Sequence, residues 1–209
     1  AARFRGSRMV AFSTGCVYAY VPPESGGSTE ESPTEPVGAY ARSCLAREQA
    51  FAGESRESGT PVVLIRLNYA VEFRYGVLVD IGSRVLDGQP VDLEMGYLNL
   101  IWQGDALDQI IRSVPLAGSP AVPLNITGPE ILRVRDLATA CGRLAGKPVT
   151  FRGTEAPTAW LNNAGRSHRL FGEPPTRLAS ILEWTVAWLM QGGKTLGKPT
   201  GFERRDGQF

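Results

Sequence analysis

Three short, almost wholly apolar runs punctuate this chain: Met9-Val10-Ala11-Phe12-Ser13, Pro61-Val62-Val63-Leu64-Ile65-Arg66-Leu67 and Pro123-Leu124-Asn125-Ile126. A strand with one wet face alternates polar and apolar residues, whereas a strand buried on both faces reads as a continuous apolar run. Each run is followed, after a loop, by a stretch with helical spacing. The spacing predicts helices over 39–58, 76–86, 105–114, 134–145 and 178–190, and Gly59, Gly88, Gly146 and Gly192 supply C-terminal stops for four of them. Buried strands alternating with helices imply an α/β fold with a mostly parallel sheet. Val17 to Tyr20 is read as prolonging the first strand, and 98–102 and 149–151 are further strand candidates.

The 209 residues suit one domain, or one domain with a small second lobe. With 22 Lys+Arg against 21 Asp+Glu the net charge is +1, which excludes a strongly basic nucleic-acid binder as the default. No run of about 18 apolar residues offers a membrane span. Cys16, Cys44 and Cys141 form no CxxC pair, and one His cannot complete a typical zinc site, so no metal is expected. A reduced, cytoplasmic setting follows. The basic opening, residues 1–8, lacks the apolar continuation of a signal peptide, and the chain begins at Ala1 rather than Met.

Several local patterns carry little. Gly193-Lys194-Thr195 resembles the end of a phosphate loop, but Trp188 stands where that loop requires Gly, and the segment follows a helix instead of opening one. Asn125-Ile126-Thr127 is a glycosylation triplet at a strand end. His168 has no carboxylate or metal partner in view and reads as structural. The segment 22–37, rich in Pro, Gly, Ser and Glu, is long for a structureless loop, and such loops are usually functional or disordered.

Taken in order, the pieces are more specific. Ser13-Thr14-Gly15-Cys16-Val17-Tyr18, the acidic, Pro-containing loop, and then Tyr40-Ala41-Arg42-Ser43 on a helix form a series. It resembles that of the extended short-chain dehydrogenases/reductases, the NAD-dependent epimerase/dehydratase family: S-[ST]-x-x-V-Y-G, an acidic loop, then Y-x-x-S-K. Downstream, the strand ending at Arg66, Gly88-Gln89-Pro90, Trp102-Gln103-Gly104-Asp105-Ala106, Asn125 to Glu130 with Val134-Arg135-Asp136-Leu137, Gly146-Lys147-Pro148 and Leu170-Phe171-Gly172 resemble successive family segments.

The resemblance implies a Rossmann-like α/β fold, of which this chain would hold the distal half, with a small C-terminal α/β substrate-binding lobe. It divides the chain into 1–70, bearing the Thr14/Tyr40 site, an insertion at 71–97, a return to the sheet at 98–128, and a lobe at 129–209. It implies an NAD(P)-dependent oxidoreductase, epimerase or dehydratase acting on a sugar nucleotide or similar polyol. Tyr40 matches the catalytic acid/base and Thr14 the hydroxyl that binds the same substrate oxygen. Tyr40 and the position of Cys44 contact the cofactor, NAD or NADP. Asn68, Tyr69, Arg74, Trp102 and Gln103 are the substrate-binding candidates, although the family's usual Asn falls one position beyond Asn68. Arg66 reads as structural. The pattern from Tyr40 to Phe51 permits a homodimer through that helix.

Two departures matter. The family's Lys, four residues after the Tyr, is Cys44 here. A nearby cation depresses a pKa by about 1–3 units, and a thiol does not supply one. Arg47 shares the face of Tyr40, Cys44 and Phe51 but starts about 10 Å further along the axis. The second departure is the G-x-x-G-x-x-G turn that holds the dinucleotide pyrophosphate, which the sequence lacks. The expectation is that the Met9 strand is the fourth or later of a complete sheet, with roughly 60 residues of βαβ structure before it. A binding protein without efficient catalysis is the alternative.

Overall fold

The computed structural model describes residue 4 and residues 6–208; half of the basic opening, Ala1, Ala2, Arg3 and Arg5, lies outside them. The elements run β1 (Met9–Thr14), α1 (Gly38–Ser58), β2 (Val62–Leu67), β3 (Ala70–Val71), α2 (Val77–Leu86), β4 (Val91–Asp92), β5 (Tyr97–Leu98), β6 (Ile101–Trp102), α3 (Gln103–Arg112), β7 (Val122–Ile126), β8 (Leu132–Arg133), α4 (Val134–Ala145), β9 (Phe151–Arg152), α5 (Gly165–Phe171) and α6 (Leu178–Met190).

The three apolar runs are β1, β2 and β7, and they form one parallel sheet in the order β1-β2-β7. β2 lies at its centre, and Val62 to Arg66 are all buried, which explains its lack of alternation. α3 packs on one side of β2 and β7 through Ala106 and Ile110. A second core gathers α2, α4 and α6 around Ile81, Leu137 and Ile181, with Phe202 from the C-terminal segment. Among the described residues β1 is an edge strand, and Phe12 on it is 47% exposed.

The register aligns Ser13, Arg66 and Asn125 in one row across the sheet. Arg66 is 7% exposed and meets the buried Glu48 of α1 at 2.7 Å. It also donates to the Tyr18 hydroxyl at 2.7 Å, which donates in turn to Asn125 at 2.8 Å. A buried charge is tolerated only when paired and hydrogen-bonded, and this one is both. Arg66 is therefore a structural residue tying α1 to the sheet.

Several expectations need correction. β1 does not continue through Val17 to Tyr20: a 3-10 turn at Gly15–Val17 ends it, capped by the Thr14 side chain. The 98–102 strand is broken at Asn99 and Leu100, so that β5 pairs antiparallel with β8 while β6 runs parallel to β3. At the break the Leu100 carbonyl accepts from the Gly128 amide at 3.0 Å, and the buried Asn99 side chain donates to the Asn162 carbonyl at 2.7 Å. The edge strand near 149–151 is β9, one residue further on, against β4. α5, at seven residues, is too short to show a helical period.

The face of α1 also differs. Its buried line is Ala41, Cys44, Glu48 and Ser55, while Tyr40 and Arg47 lie exposed beside it. Small and polar residues make up this line because the helix approaches the sheet closely and carries one half of the buried ion pair. The 22–37 loop is pinned as well: Glu30 accepts from the Asn125 backbone N–H at 2.9 Å, and the Ser28 backbone N–H donates to the Leu161 carbonyl.

Candidate active site

β1 delivers Thr14 to the C-terminal edge of the sheet, where open α/β sheets bind ligands. The Thr14 oxygen accepts the Cys16 amide N–H at 3.3 Å, so the turn fixes the side chain and leaves its proton free to donate. The Thr14 hydroxyl and the Cys44 thiol both act on the nearby Tyr40 phenol. Tyr40 is half-exposed and Thr14 is buried at 6% exposure. The pair therefore presents two hydroxyls, one rigid and one at the mouth of a cavity.

That cavity has a volume of about 440 Å³ and is lined by Ser13, Thr14, Tyr40, Tyr69, Tyr75 and Gln103, with Thr200 at its rim. The Ser13 hydroxyl is buried and has no hydrogen-bond partner among the described residues. Beside it a second cavity of about 310 Å³ shares Tyr40, Tyr69, Tyr75 and Thr200 and adds Cys16, Lys198 and Phe202. A larger cavity, about 690 Å³, lies elsewhere, between Trp102, Glu130, Pro174 and Arg177, and is lined by neither Tyr40 nor Thr14.

The electrostatics keep Tyr40 protonated. Burial pushes its phenol up to about 12, Cys44 adds to the rise, and the Thr14 hydrogen bond opposes it. Burial also pushes the Cys16 thiol up to about 11 and the Tyr69 phenol well above its ordinary value. Arg47 is nearer than its place on the helix suggested. Its guanidinium reaches back and donates to the Cys44 sulfur at 3.1 Å, because a side chain of that length spans the intervening turn. Cys44 is thus held between the Tyr40 phenol and a cation.

The substrate-binding candidates divide. Tyr69 lines both Tyr40 cavities, in a left-handed backbone conformation at φ 35°, which is uncommon for a bulky residue. Gln103 lines the first cavity. Asn68 lines neither: it is 2% exposed, and its amide nitrogen donates to Asn99 at 2.8 Å. Arg74 is an exposed partner of Glu72 at 3.1 Å. Trp102 turns to the 690 Å³ cavity and joins Phe73 at 5.0 Å and Trp184 at 6.1 Å in an aromatic cluster. His168 contacts the Thr127 carbonyl at 3.0 Å, as a structural residue does.

The sequence offered no sign of what closes the site. Residues 191–208 form a strap across it. The Leu196 amide donates to the Arg74 carbonyl, and Thr200 donates to Asp80 from its amide at 2.7 Å and its hydroxyl at 2.6 Å. Phe202 is buried in the second core. Glu203 pairs with Arg84 at 3.1 Å, and the Arg205 guanidinium sits 4.2 Å over the Tyr20 ring. Gly38, at φ 85°, meets the Gly207 backbone so closely that a Cβ has no room. The strap thereby ends against the first residue of α1.

No protein-family model and no curated protein matches the chain. Solved structures do. The NAD complex of dTDP-glucose 4,6-dehydratase from Bacillus anthracis str. Ames is 18% identical with a TM-score of 0.78; the match covers 91% of this chain and 64% of that one. The NAD complex of UDP-glucuronic acid 4-epimerase from Bacillus cereus is 17% identical with a TM-score of 0.76, covering 88% and 62%. The NAD complex of UDP-glucose 4-epimerase from Thermus thermophilus is 21% identical with a TM-score of 0.72, covering 87% and 63%. The chain shares the Rossmann-like fold of these proteins, and spans less than two thirds of their length. Among the described residues no helix is long and apolar enough to cross a membrane.

Proposed function

We propose that the chain belongs to the extended short-chain dehydrogenase/reductase family and carries the acid/base end of an NAD(P)-dependent oxidoreductase, epimerase or dehydratase. Its substrate on this reading is a sugar nucleotide or similar polyol. The observation that carries the reading is the meeting of the Thr14 hydroxyl and the Tyr40 phenol at one cavity, at the strand end where the fold binds ligands. The 71–97 and 129–209 segments form the substrate lobe, the setting is cytoplasmic, and α1 is the face through which two copies would pair.

The residues present suit the nicotinamide end of the cofactor. The cavity is lined by hydroxyls and rings rather than charges, and the orphaned Ser13 hydroxyl offers an unused polar contact. Tyr40 would hold that end, with Cys44, 1% exposed and lining neither cavity, behind its phenol; a bound nicotinamide supplies or accepts the hydride. The protein's own share is the proton. In the reducing direction Tyr40 passes its phenolic proton to the carbonyl oxygen while Thr14 donates a hydrogen bond to the same atom. In the oxidising direction the phenolate must first exist, and the proton then moves from the hydroxyl to Tyr40.

A phenol at about 12 is only about 0.001% ionised at pH 7, so this site is made as an acid. The sign of the pH dependence follows. The oxidising rate should climb about tenfold per pH unit between pH 7 and 10, because the phenolate fraction does, and the reducing rate should not. Cys44→Lys places an ammonium where the thiol now stands. It should raise the oxidising rate at pH 7 by about 10-fold or more and flatten the climb. A flat profile in the parent protein, unchanged by Cys44→Lys, would remove Tyr40 as the base. A second reading, a ligand-binding protein without efficient turnover, is supported by the same raised phenol and by Cys44 in the Lys position.

A further inference from the structure

Tyr40, Cys44 and Arg47 follow one another at spacings of four and three residues, so α1 sets their side chains on neighbouring turns of one side. Tyr40 lines the cavity, and Cys44 is buried next to it, packed with Val17 and Tyr18. Arg47 is exposed along its length but brings its guanidinium to the Cys44 sulfur at 3.1 Å. Sulfur is a weak acceptor. Among the described residues the hydrogen bond that Arg47 makes goes to this atom and not to a carboxylate.

That contact bears on the phenol in three ways. A guanidinium N–H on the sulfur competes with the phenol for the same lone pairs, and so weakens the hold by which Cys44 keeps Tyr40 protonated. It draws electron density from the sulfur, which makes the S–H a better donor to a phenolate oxygen. The positive charge itself favours an anion nearby. All three act in one direction, and the burial of Cys44 leaves little water to screen them.

The other titratable groups around the pair lie on other elements or are committed. Cys16 comes from the turn after β1, Tyr69 and Tyr75 from the segment after β2, and Lys198 from the strap. Burial holds Cys16, Tyr69 and Tyr75 above their ordinary values, so none of them is an anion at neutral pH. Tyr18, packed on Cys44, and Glu48, next to Arg47, are both bonded to Arg66.

We propose that Arg47, acting through the Cys44 thiol, is the positioning residue that stabilises the Tyr40 phenolate on a helix with no lysine at position 44. This rests on the reading of Tyr40 as acid/base given above, but its test follows the phenol itself, so the two fail separately.

The test is fluorine NMR of the chain labelled with ring-fluorinated tyrosine, whose phenol ionises at lower pH than that of tyrosine. The Tyr40 resonance is the one lost in Tyr40→Phe. Arg47→Met should raise its titration midpoint by about one unit, a tenfold loss of phenolate at a given pH. Arg47→Lys, which keeps the charge, should recover more than half of that shift. In a Cys44→Ala background Arg47→Met should move the midpoint by less than about a third as much, because the sulfur that fixes the guanidinium is gone. In unlabelled protein Arg47→Met should slow the oxidising direction about 10-fold at pH 7. A midpoint that moves while this rate does not would uphold the coupling and overturn the catalytic reading of Tyr40 instead. A midpoint unmoved by Arg47→Met, or moved as far when Cys44 is absent, would overturn the proposal.

Discussion

Replacing Tyr40 with Phe should lower turnover by about 10²- to 10⁴-fold, the range a positioned general acid contributes. The substitution removes one oxygen from a half-exposed side chain, so the fold should be nearly untouched. The phenol's partners both survive: Thr14 is held by the Cys16 amide, and Cys44 by Arg47. A loss confined to kcat, with binding of substrate and cofactor retained, is the signature of a proton lost from the transition state. If Tyr40→Phe turns over as fast as the parent, Tyr40 is a wall of the cavity and the binding-protein reading stands. Steady-state rates of both proteins in the reducing direction at pH 7 decide it, since the raised phenol is fully protonated there.

Glu48→Gln should destabilise the fold by about 3–5 kcal/mol, the cost of leaving one partner of a buried ion pair uncompensated. Three hydrogen bonds from Arg66 converge on the Glu48 carboxylate, at 2.7 to 3.3 Å, and the residues are 7% and 4% exposed. Water therefore cannot replace what is removed. For a domain of this length that amounts to a fall in melting temperature of roughly 6–20 °C. The double change Glu48→Leu with Arg66→Met should recover much of the loss, because it removes both charges and fills the space. Urea unfolding of the parent and both variants measures this. A loss below about 1 kcal/mol in Glu48→Gln would show that Arg66 finds another partner and that the pair does not anchor α1.

What could be read from the sequence follows from how each feature is encoded. β1, β2 and β7 were legible because a strand buried on both faces writes its burial into every residue. That Thr14 and Tyr40 meet at one cavity was legible from the order of short motifs. The rotation of α1 was not, because its buried line of Ala41, Cys44, Glu48 and Ser55 is small and polar and carries no apolar stripe. The reach of Arg47 to Cys44 was hidden by counting along the helix axis, which ignores side-chain length. Asn68 was placed with the substrate contacts, yet buried asparagines bond one another, and its amide is spent on Asn99. Trp102 and Gln103 are neighbours that enter different cavities, a divergence set at the start of α3. The strap had no local signature, since it is held by Asp80, Arg74 and the core of α2, α4 and α6 that receives Phe202, all distant from it in sequence.

The central claim is that Thr14 and Tyr40 serve a carbon that exchanges hydride with a nicotinamide. The direct measurement is transfer of deuterium from NADH and NADPH labelled on both faces of C4 to a panel of keto-sugars, sugar nucleotides and simpler polyol ketones, followed by mass spectrometry. The account predicts deuterium on the carbinol carbon of a product, abolished or strongly reduced in Tyr40→Phe. Cofactor binding without label in any product, or label that enters equally well in Tyr40→Phe, would contradict it.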